Sequence, residues 1–426
     1  MLDRILPINM GNGVTLHPIN TKKFKTSLVS VYFQRPLTHE EVTKNALISM
    51  VLPRGTKTLK TSKEIAKYME NLYGTSIGCD VAKKGERNIM HFRMQMINEM
   101  YIDEKHVLEK GIKMLNEFIH DPLIEYGRFK DEYVHQEKLN LAERIEGRKN
   151  DKMKYAYDRC IEEMCRDEPF SLYEYGNMKD LKEISESSLF KHYGNLLKTA
   201  PVDICVVGDL SKIDIQEMID QNMSFQLNQP IAVEREKIFY KGEKTNIISE
   251  EMDISQGKLG LGYRTNIPFE SELYEPLVVY SNILGGGPNS KLFKNIREKE
   301  SLCYYIFSRI EKFKSLMLIS SGIEFDNFDK TVDLVGKQIK DMNNGNITSE
   351  EIESSKNAII TSIRSMTDSP GMLADFYYTQ VISKNQDRLE EIITKIRNVK
   401  KDAIVEAGKN IKLDTVYFLR NKKEDN

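Results

Sequence analysis

Two segments far apart in the chain carry the same helical stripe: Val134, Lys138, Leu141 and Ile145 keep the mutual spacing of Ile352, Lys356, Ile359 and Ile363. Steps of four, three and four residues lay one face along an α-helix, with a lysine built into the apolar row at the same place each time. A chain that writes such a face twice needs two surfaces to bury it against, so the sequence reads as a duplication.

The remaining elements follow in the same order in both halves. Residues 28–33 alternate as a strand, residues 45–52 form an apolar helical stretch, and Pro53-Arg54-Gly55-Thr56 stops it. In the second half, residues 258–263, residues 275–284 and Gly285-Gly286-Gly287-Pro288 repeat that order. A helix and two strands come next. In the first half the strands are expected at residues 75–81 and 88–96, where Met90, Phe92, Met94 and Met96 share one face at period two. After further helices, each half closes on a β-rich run, at residues 202–207 and 415–419. The expected fold class is therefore α+β: two homologous domains, 1–225 and 251–426, each a mostly antiparallel sheet covered by helices on one face. Residues 226–250, charged and poorly periodic with Pro230 inside, are the expected linker.

Composition excludes several function classes. Lys and Arg total 62 against 64 Asp and Glu, which gives no electrostatic reason to expect nucleic acid or an anionic membrane as partner. The five cysteines form no C-x-x-C pair, which argues against a zinc ribbon or a disulfide framework and fits a reducing compartment. No run approaches the roughly 18 apolar residues of a membrane span, and residues 1–13 lack the apolar core of a signal peptide. A cytoplasmic protein with no membrane insertion is expected. No H-E-x-x-H, H-x-x-E-H or H-x-H occurs, and His135 and Glu137, two apart on a helix, point to different sides. The glycines at 285–287 match no phosphate-loop spacing and read as a turn between helices. Cys303, in an apolar run with no local helper, reads as a buried small hydrophobe.

The run from Gly285 to Tyr304, GGGPNSKLFKNIREKESLCY, resembles the C-domain signature of the pitrilysin/insulinase-type (inverted zincin) metallopeptidase family. There a glycine turn and a Leu-Phe step lead to an Arg and, seven positions on, a Tyr; Arg297 and Tyr304 hold those two places. Counting back from Gly55-Thr56, residues 46–56 align with the segment where the family carries its inverted zinc motif, H-x-x-E-H. In that motif two histidines at i and i+4 present neutral nitrogens to one zinc ion and the Glu takes the proton of its water. Here the three places are Ala46, Ser49 and Met50. Ala offers no lone pair, a Ser hydroxyl is a poor zinc ligand and no base near neutral pH, and a Met thioether prefers softer metals. The family's third ligand, a Glu on a later helix, falls at Arg144, or at Glu143 if that helix shifts by one residue. A cation at Arg144 repels a metal.

The resemblance implies a clamshell of two domains and a non-catalytic bacterial member, with no metal or cofactor of its own. It further implies a dimer with a zinc-motif-bearing paralogue, the zinc residing only in that partner subunit. In such a heteromeric peptidase this chain lines the peptide chamber and offers a sheet edge near Thr75, Ile77 and Cys79 to the peptide substrate. Arg297 and Tyr304 bind substrate at the partner's zinc and stabilise the developing oxyanion. This chain alone then has no catalytic residue. Two alternatives stand beside this expectation: a stand-alone peptide-binding protein with no catalytic partner, and an active peptidase with a relocated metal site.

Overall fold

In the computed structural model, which describes residues 5–225, 229–238 and 244–422, each half of the sequence builds one principal sheet. The strands are β1 (Ile8–Gly11), β2 (Val14–Asn20), β3 (Thr26–Pro36), β4 (Ser76–Lys84), β5 (Arg87–Ile97), a short hairpin β6 (Ile124–Glu125) and β7 (Arg128–Phe129), and β8 (Val202–Gly208). The second half adds β9 (Asn246–Glu251), β10 (Gly257–Arg264), β11 (Cys303–Glu311), β12 (Leu316–Ile323) and β13 (Lys412–Arg420). The first sheet runs β1-β2-β8-β3-β5-β4 and the second β9-β13-β10-β12-β11. With β1 set aside, the two orders coincide strand for strand. Even the parallel pair recurs, β2 with β8 and β9 with β13, while the other neighbours are antiparallel. The duplication read from one helical stripe is thus a duplication of topology.

The helices are α1 (His39–Val51), α2 (Ser62–Asn71), α3 (Val107–His120), α4 (Asp131–Gly147), α5 (Lys152–Met164), α6 (Met178–Glu183), α7 (Glu186–Thr199) and α8 (Ile215–Asn222). After them come α9 (Tyr274–Gly285), α10 (Phe328–Asn343), α11 (Ser349–Ser365), α12 (Pro370–Ser383), α13 (Leu389–Asn398) and α14 (Lys401–Lys409). The repeated stripe lies on α4 and α11. Val134 and Leu141 are fully buried, and the lysine inside each stripe has a matching task. Lys138 donates to the carbonyl of Ile184 just past the end of α6 (2.7 Å), and Lys356 to that of Arg397 in the last turn of α13 (3.0 Å). An aliphatic stem can run through apolar surroundings while its ammonium meets the negative end of a helix, which explains a lysine in an otherwise apolar row.

The chain divides into two compact units that do not follow the sequence halves. The first comprises residues 1–146, 172–235 and 366–386; the second comprises 147–171, 236–365 and 387–426. Helix α5 of the first half therefore belongs to the second unit, and α12 of the second half to the first. The helices expected on one sheet face are there: Val29, Val31 and Phe33 of β3 share a core with Ala46 and Leu47 of α1, Phe118 of α3 and Leu141 of α4. The exchanged helix covers the other face. In the second unit α5 lies on β10 and β13 at glycines: a Cβ on Gly260 would stand 2.9 Å from Cβ of Cys160, and one on Gly262 2.7 Å from the sulfur of Met164. In the first unit α12 lies on β8 and β3, and Tyr378 stacks on Tyr32 at 3.8 Å, which stacks on His91 at 4.0 Å.

Of the expected linker, residues 226–228 and 239–243 lie outside the described residues. Its described parts belong to the units: residues 246–251 form the edge strand β9, and the carbonyl of Lys237 accepts a 2.8 Å hydrogen bond from the fully buried Lys314. Among the described residues no helix is long and apolar enough to cross a membrane.

The close seat of α5 yields a stability prediction. Gly260→Ala should destabilise the second unit by about 1–3 kcal/mol, the usual cost of overpacking, because the obstructing Cβ of Cys160 is fixed to its backbone. Urea denaturation followed by circular dichroism measures it; an unchanged midpoint would mean that α5 does not need the glycine.

Candidate functional site: a dismantled centre and a re-aimed arginine and tyrosine

Helix α1 is buried nearly all round, with Val42, Asn45, Ala46, Leu47, Ile48, Ser49 and Val51 all inside. The three places of the zinc motif are absorbed by that burial. Ala46 is fully buried, Ser49 turns its hydroxyl back onto the carbonyl of Ala46 at 2.8 Å, and Met50 is half-buried against the core. The neighbouring Asn45 donates to Asn88 at 3.0 Å and pairs with Nε2 of His192 at 2.7 Å. Burial pushes the His192 ring down to about 4, so it is neutral across the physiological range.

Helix α4 supplies the other side. Glu137 is buried, and its carboxylate meets Arg54, just past α1, at 3.2 Å. His135 is not drawn into that pair. Arg144 lies over the ring of Tyr175 at 4.0 Å and reaches Asp80 of β4 at 3.5 Å, and the Tyr175 hydroxyl donates to the same carboxylate at 2.9 Å. Glu143 is exposed. Two guanidinium–carboxylate pairs, Arg54 with Glu137 and Arg144 with Asp80, are thus anchored on or beside α4. Among the described residues no group of three or more His, Cys, Asp or Glu side chains is placed to hold a metal ion.

Strand β4 is the free edge of its sheet. It begins at Ser76 rather than at Thr75: Thr75 is buried before the strand, and its hydroxyl donates to the carbonyl of Leu72 at 2.6 Å. Ile77 and Cys79 lie on the strand, partly buried against the core, and burial pushes the Cys79 thiol well up.

In the second unit the matching elements are distorted. Where α2 is a regular helix opened by a Thr61/Glu64 capping box, residues Phe293–Glu298 form a π-helical turn, fastened by Asn295 donating to Gln338 at 2.7 Å. Arg297, half-buried on this turn, stacks over the ring of Phe293 at 4.5 Å and forms no ion pair among the described residues. Ser301 then takes a left-handed backbone, φ +54°. Where β4 keeps unbroken register with β5, β11 bulges between Cys303 and Tyr305, and the bulged Tyr304 is 74 % exposed. Cys303 is buried. The glycine turn at 285–287 borders a cavity of about 330 Å³ whose lining includes Glu350 and Glu351, a poor setting for phosphate.

Asp80, Tyr175 and Arg54 were not singled out from the sequence as parts of this site, and Glu137 was weighed there only as a metal ligand beside His135. Asp80 offers a faint signal, a charge interrupting an otherwise β-prone run; Tyr175 lies in an irregular segment that no periodicity flags.

A family model described as the peptidase M16 inactive domain matches residues 183–359. The chain is 38% identical, over 96% of both chains, to a Bacillus subtilis (strain 168) protein described as the probable inactive metalloprotease YmfF. Among solved structures it resembles a conserved protein from Enterococcus faecalis V583 (28% identity, all of both chains, TM-score 0.92). It also resembles a peptidase M16 inactive domain from Pseudomonas fluorescens (17% identity, 99% of both chains, TM-score 0.82).

The neutral His192 makes stability fall in acid. Its folded pKa of about 4 lies below the roughly 6.5 of an exposed histidine, so the unfolded chain takes up the proton first. This contribution to stability is complete above about pH 6.5 and is lost as pH falls toward 4, by on the order of 3 kcal/mol. Urea titrations at pH 7 and 4.5 should show a smaller acid loss in His192→Gln than in the parent protein; parallel losses would place the acid sensitivity elsewhere.

Proposed function

The chain belongs to the M16 peptidase family, the pitrilysin/insulinase type, and from that premise we propose that it is the non-catalytic subunit of a heteromeric zinc peptidase. It lines a peptide chamber and lends Arg297 and Tyr304 to a zinc-bearing paralogue that hydrolyses the peptide bond. The partnership is placed in the cytoplasm, and the zinc belongs to the partner alone.

One observation carries this reading. Between residues 293 and 304 the backbone departs from regular geometry as a π-turn and a β-bulge, whereas the left-handed Ser301 is matched by a left-handed Tyr73 (φ +55°) between α2 and β4. The corresponding helix and strand of the first unit are regular. π-Turns and bulges recur at functional sites because they re-aim side chains, and conformational strain is kept where something else depends on it. Here the side chains concerned are an arginine with no carboxylate partner among the described residues and an exposed tyrosine. Together they offer a cation and a hydroxyl donor, the groups that hold a peptide carbonyl and stabilise an oxyanion. In the first unit Ala46 and Ser49 are sealed into the core and Met50 is half-buried against it, and among the described residues no group of three or more His, Cys, Asp or Glu side chains is placed to hold a metal.

Two measurements follow. The purified chain should carry less than one-tenth of an equivalent of zinc by elemental analysis, an order-of-magnitude threshold for the absence of a structural site; one equivalent, lost on mutating its ligands, would favour a relocated metal site. In the reconstituted pair, Arg297→Ala and Tyr304→Phe should each lower turnover of a reporter peptide roughly a hundredfold, the typical worth of one oxyanion donor. Thermal stability and partner binding should hold. Unchanged turnover with saturating partner would return both residues to scaffold and favour a stand-alone peptide-binding protein.

A further inference from the structure

Strand β4 ends in a two-residue turn, Gly85-Glu86, so Lys84 and Arg87 face each other as the first cross-strand pair. In an antiparallel ladder the hydrogen-bonded pairs alternate, which directs the amides of Ile77, Cys79 and Val81 away from β5, toward the free edge. The outward amide of Val81 is already taken: it donates to Oδ1 of Asp80 at 2.8 Å. The same oxygen accepts from the Tyr175 hydroxyl at 2.9 Å, and Oδ2 faces Arg144 at 3.5 Å. Arg144 is in turn held over the Tyr175 ring. The carboxylate is thus fixed from three directions across the edge of the strand.

We propose that Asp80, positioned by Tyr175 and Arg144, is a built-in strand stop: it lets an extended peptide pair with β4 along Ile77 and Cys79 and ends the pairing before Val81. The proposal rests on the reading that this edge receives peptide, and it adds which part of the edge does so. Physically, a peptide strand advances along an edge by capturing outward amides two residues apart, about 7 Å per step. At Val81 it meets a carboxylate already satisfied by an amide, a hydroxyl and a guanidinium, and it has no acceptor that improves on a charge. An unguarded edge invites uncontrolled strand addition, and a charged plug is a common remedy. Arg144, one of the two candidates, with Glu143, for the third ligand place, thereby acquires a task, holding the stop in place.

The experiment compares the full-length protein with Asp80→Ala and Asp80→Asn. Asn keeps an oxygen to accept from the Val81 amide; Ala does not. Residue-resolved amide exchange reads the edge directly, with and without a fluorescein-labelled ten-residue Ser/Thr/Val peptide, and anisotropy gives its affinity beside that of a four-residue version. Without peptide, the Val81 amide should exchange slowly in the parent and Asp80→Asn and quickly in Asp80→Ala. With the decapeptide, protection should cover Ile77 and Cys79 in the parent and extend to Val81 only in Asp80→Ala. Decapeptide affinity should then rise roughly fivefold, the worth of one further backbone hydrogen bond, while the tetrapeptide binds all three proteins alike. Peptide protection that runs through Val81 in the parent, or an Asp80→Ala protein that gains neither protection nor affinity, overturns the strand stop and leaves the edge reading intact. No protection of β4 in any of the three overturns both.

Discussion

Each sheet has a second face to cover, and the chain meets that need by giving one helix of each half to the other unit. The rest of the structure depends on this exchange. α5 can lie flat on β10 because Gly260 and Gly262 leave room for Cys160 and Met164, whereas α12 reaches β3 through the stacked rings of Tyr378 and Tyr32. The two seats occupy corresponding places in the repeat and use opposite devices, removal of side chains in one and aromatic stacking in the other. Both give close approach over a broad apolar contact, the main source of folding energy. Neither half of the sequence covers both faces of its own sheet with its own helices alone.

Loss of a catalytic centre leaves a physical problem, because the space and charge of the absent groups still need an account. In this chain the motif helix has become core: alanine and a self-bonded serine bury without orphaned polar atoms. Glu137 is buried yet keeps a cationic partner in Arg54, which avoids the large penalty of an isolated buried carboxylate. Around Arg144 a guanidinium, a tyrosine and an aspartate form a unit that needs no metal. The second unit shows the reverse pattern. Its backbone carries a π-helical turn at Phe293–Glu298 and a bulge between Cys303 and Tyr305, where α2 and β4 of the first unit have neither.

Much of this was legible in the sequence because it is periodic. The stripe shared by Val134 to Ile145 and Ile352 to Ile363 led to the duplication, and the alternation of Met90 to Met96 to a strand; Arg297 and Tyr304 stood out only through the family resemblance. Boundaries were less legible: Thr75 belongs to the turn after α2 because its hydroxyl finds the Leu72 carbonyl, a bond that β propensity does not foresee. The exchange of α5 and α12 was not legible at all. Periodicity tells that a helix has an apolar face and not which sheet receives it; the cue was Gly260 and Gly262, which lie inside the run 258–263 that its alternation marked only as a strand. The Asp80, Tyr175 and Arg144 unit was hidden for a similar reason, since it joins residues brought together only by tertiary packing.

If the proposed role of Arg297 and Tyr304 at another subunit's zinc holds, this chain must travel with that subunit. The most direct measurement is to purify the protein at its native level, through a small affinity tag on its own gene, from the organism that encodes it, and identify what accompanies it. The account predicts a stoichiometric relative that carries an intact H-x-x-E-H motif, zinc in the complex, and peptidase activity that neither subunit shows alone. A chain that emerges by itself, free of any zinc-motif relative and of peptidase activity, would contradict it.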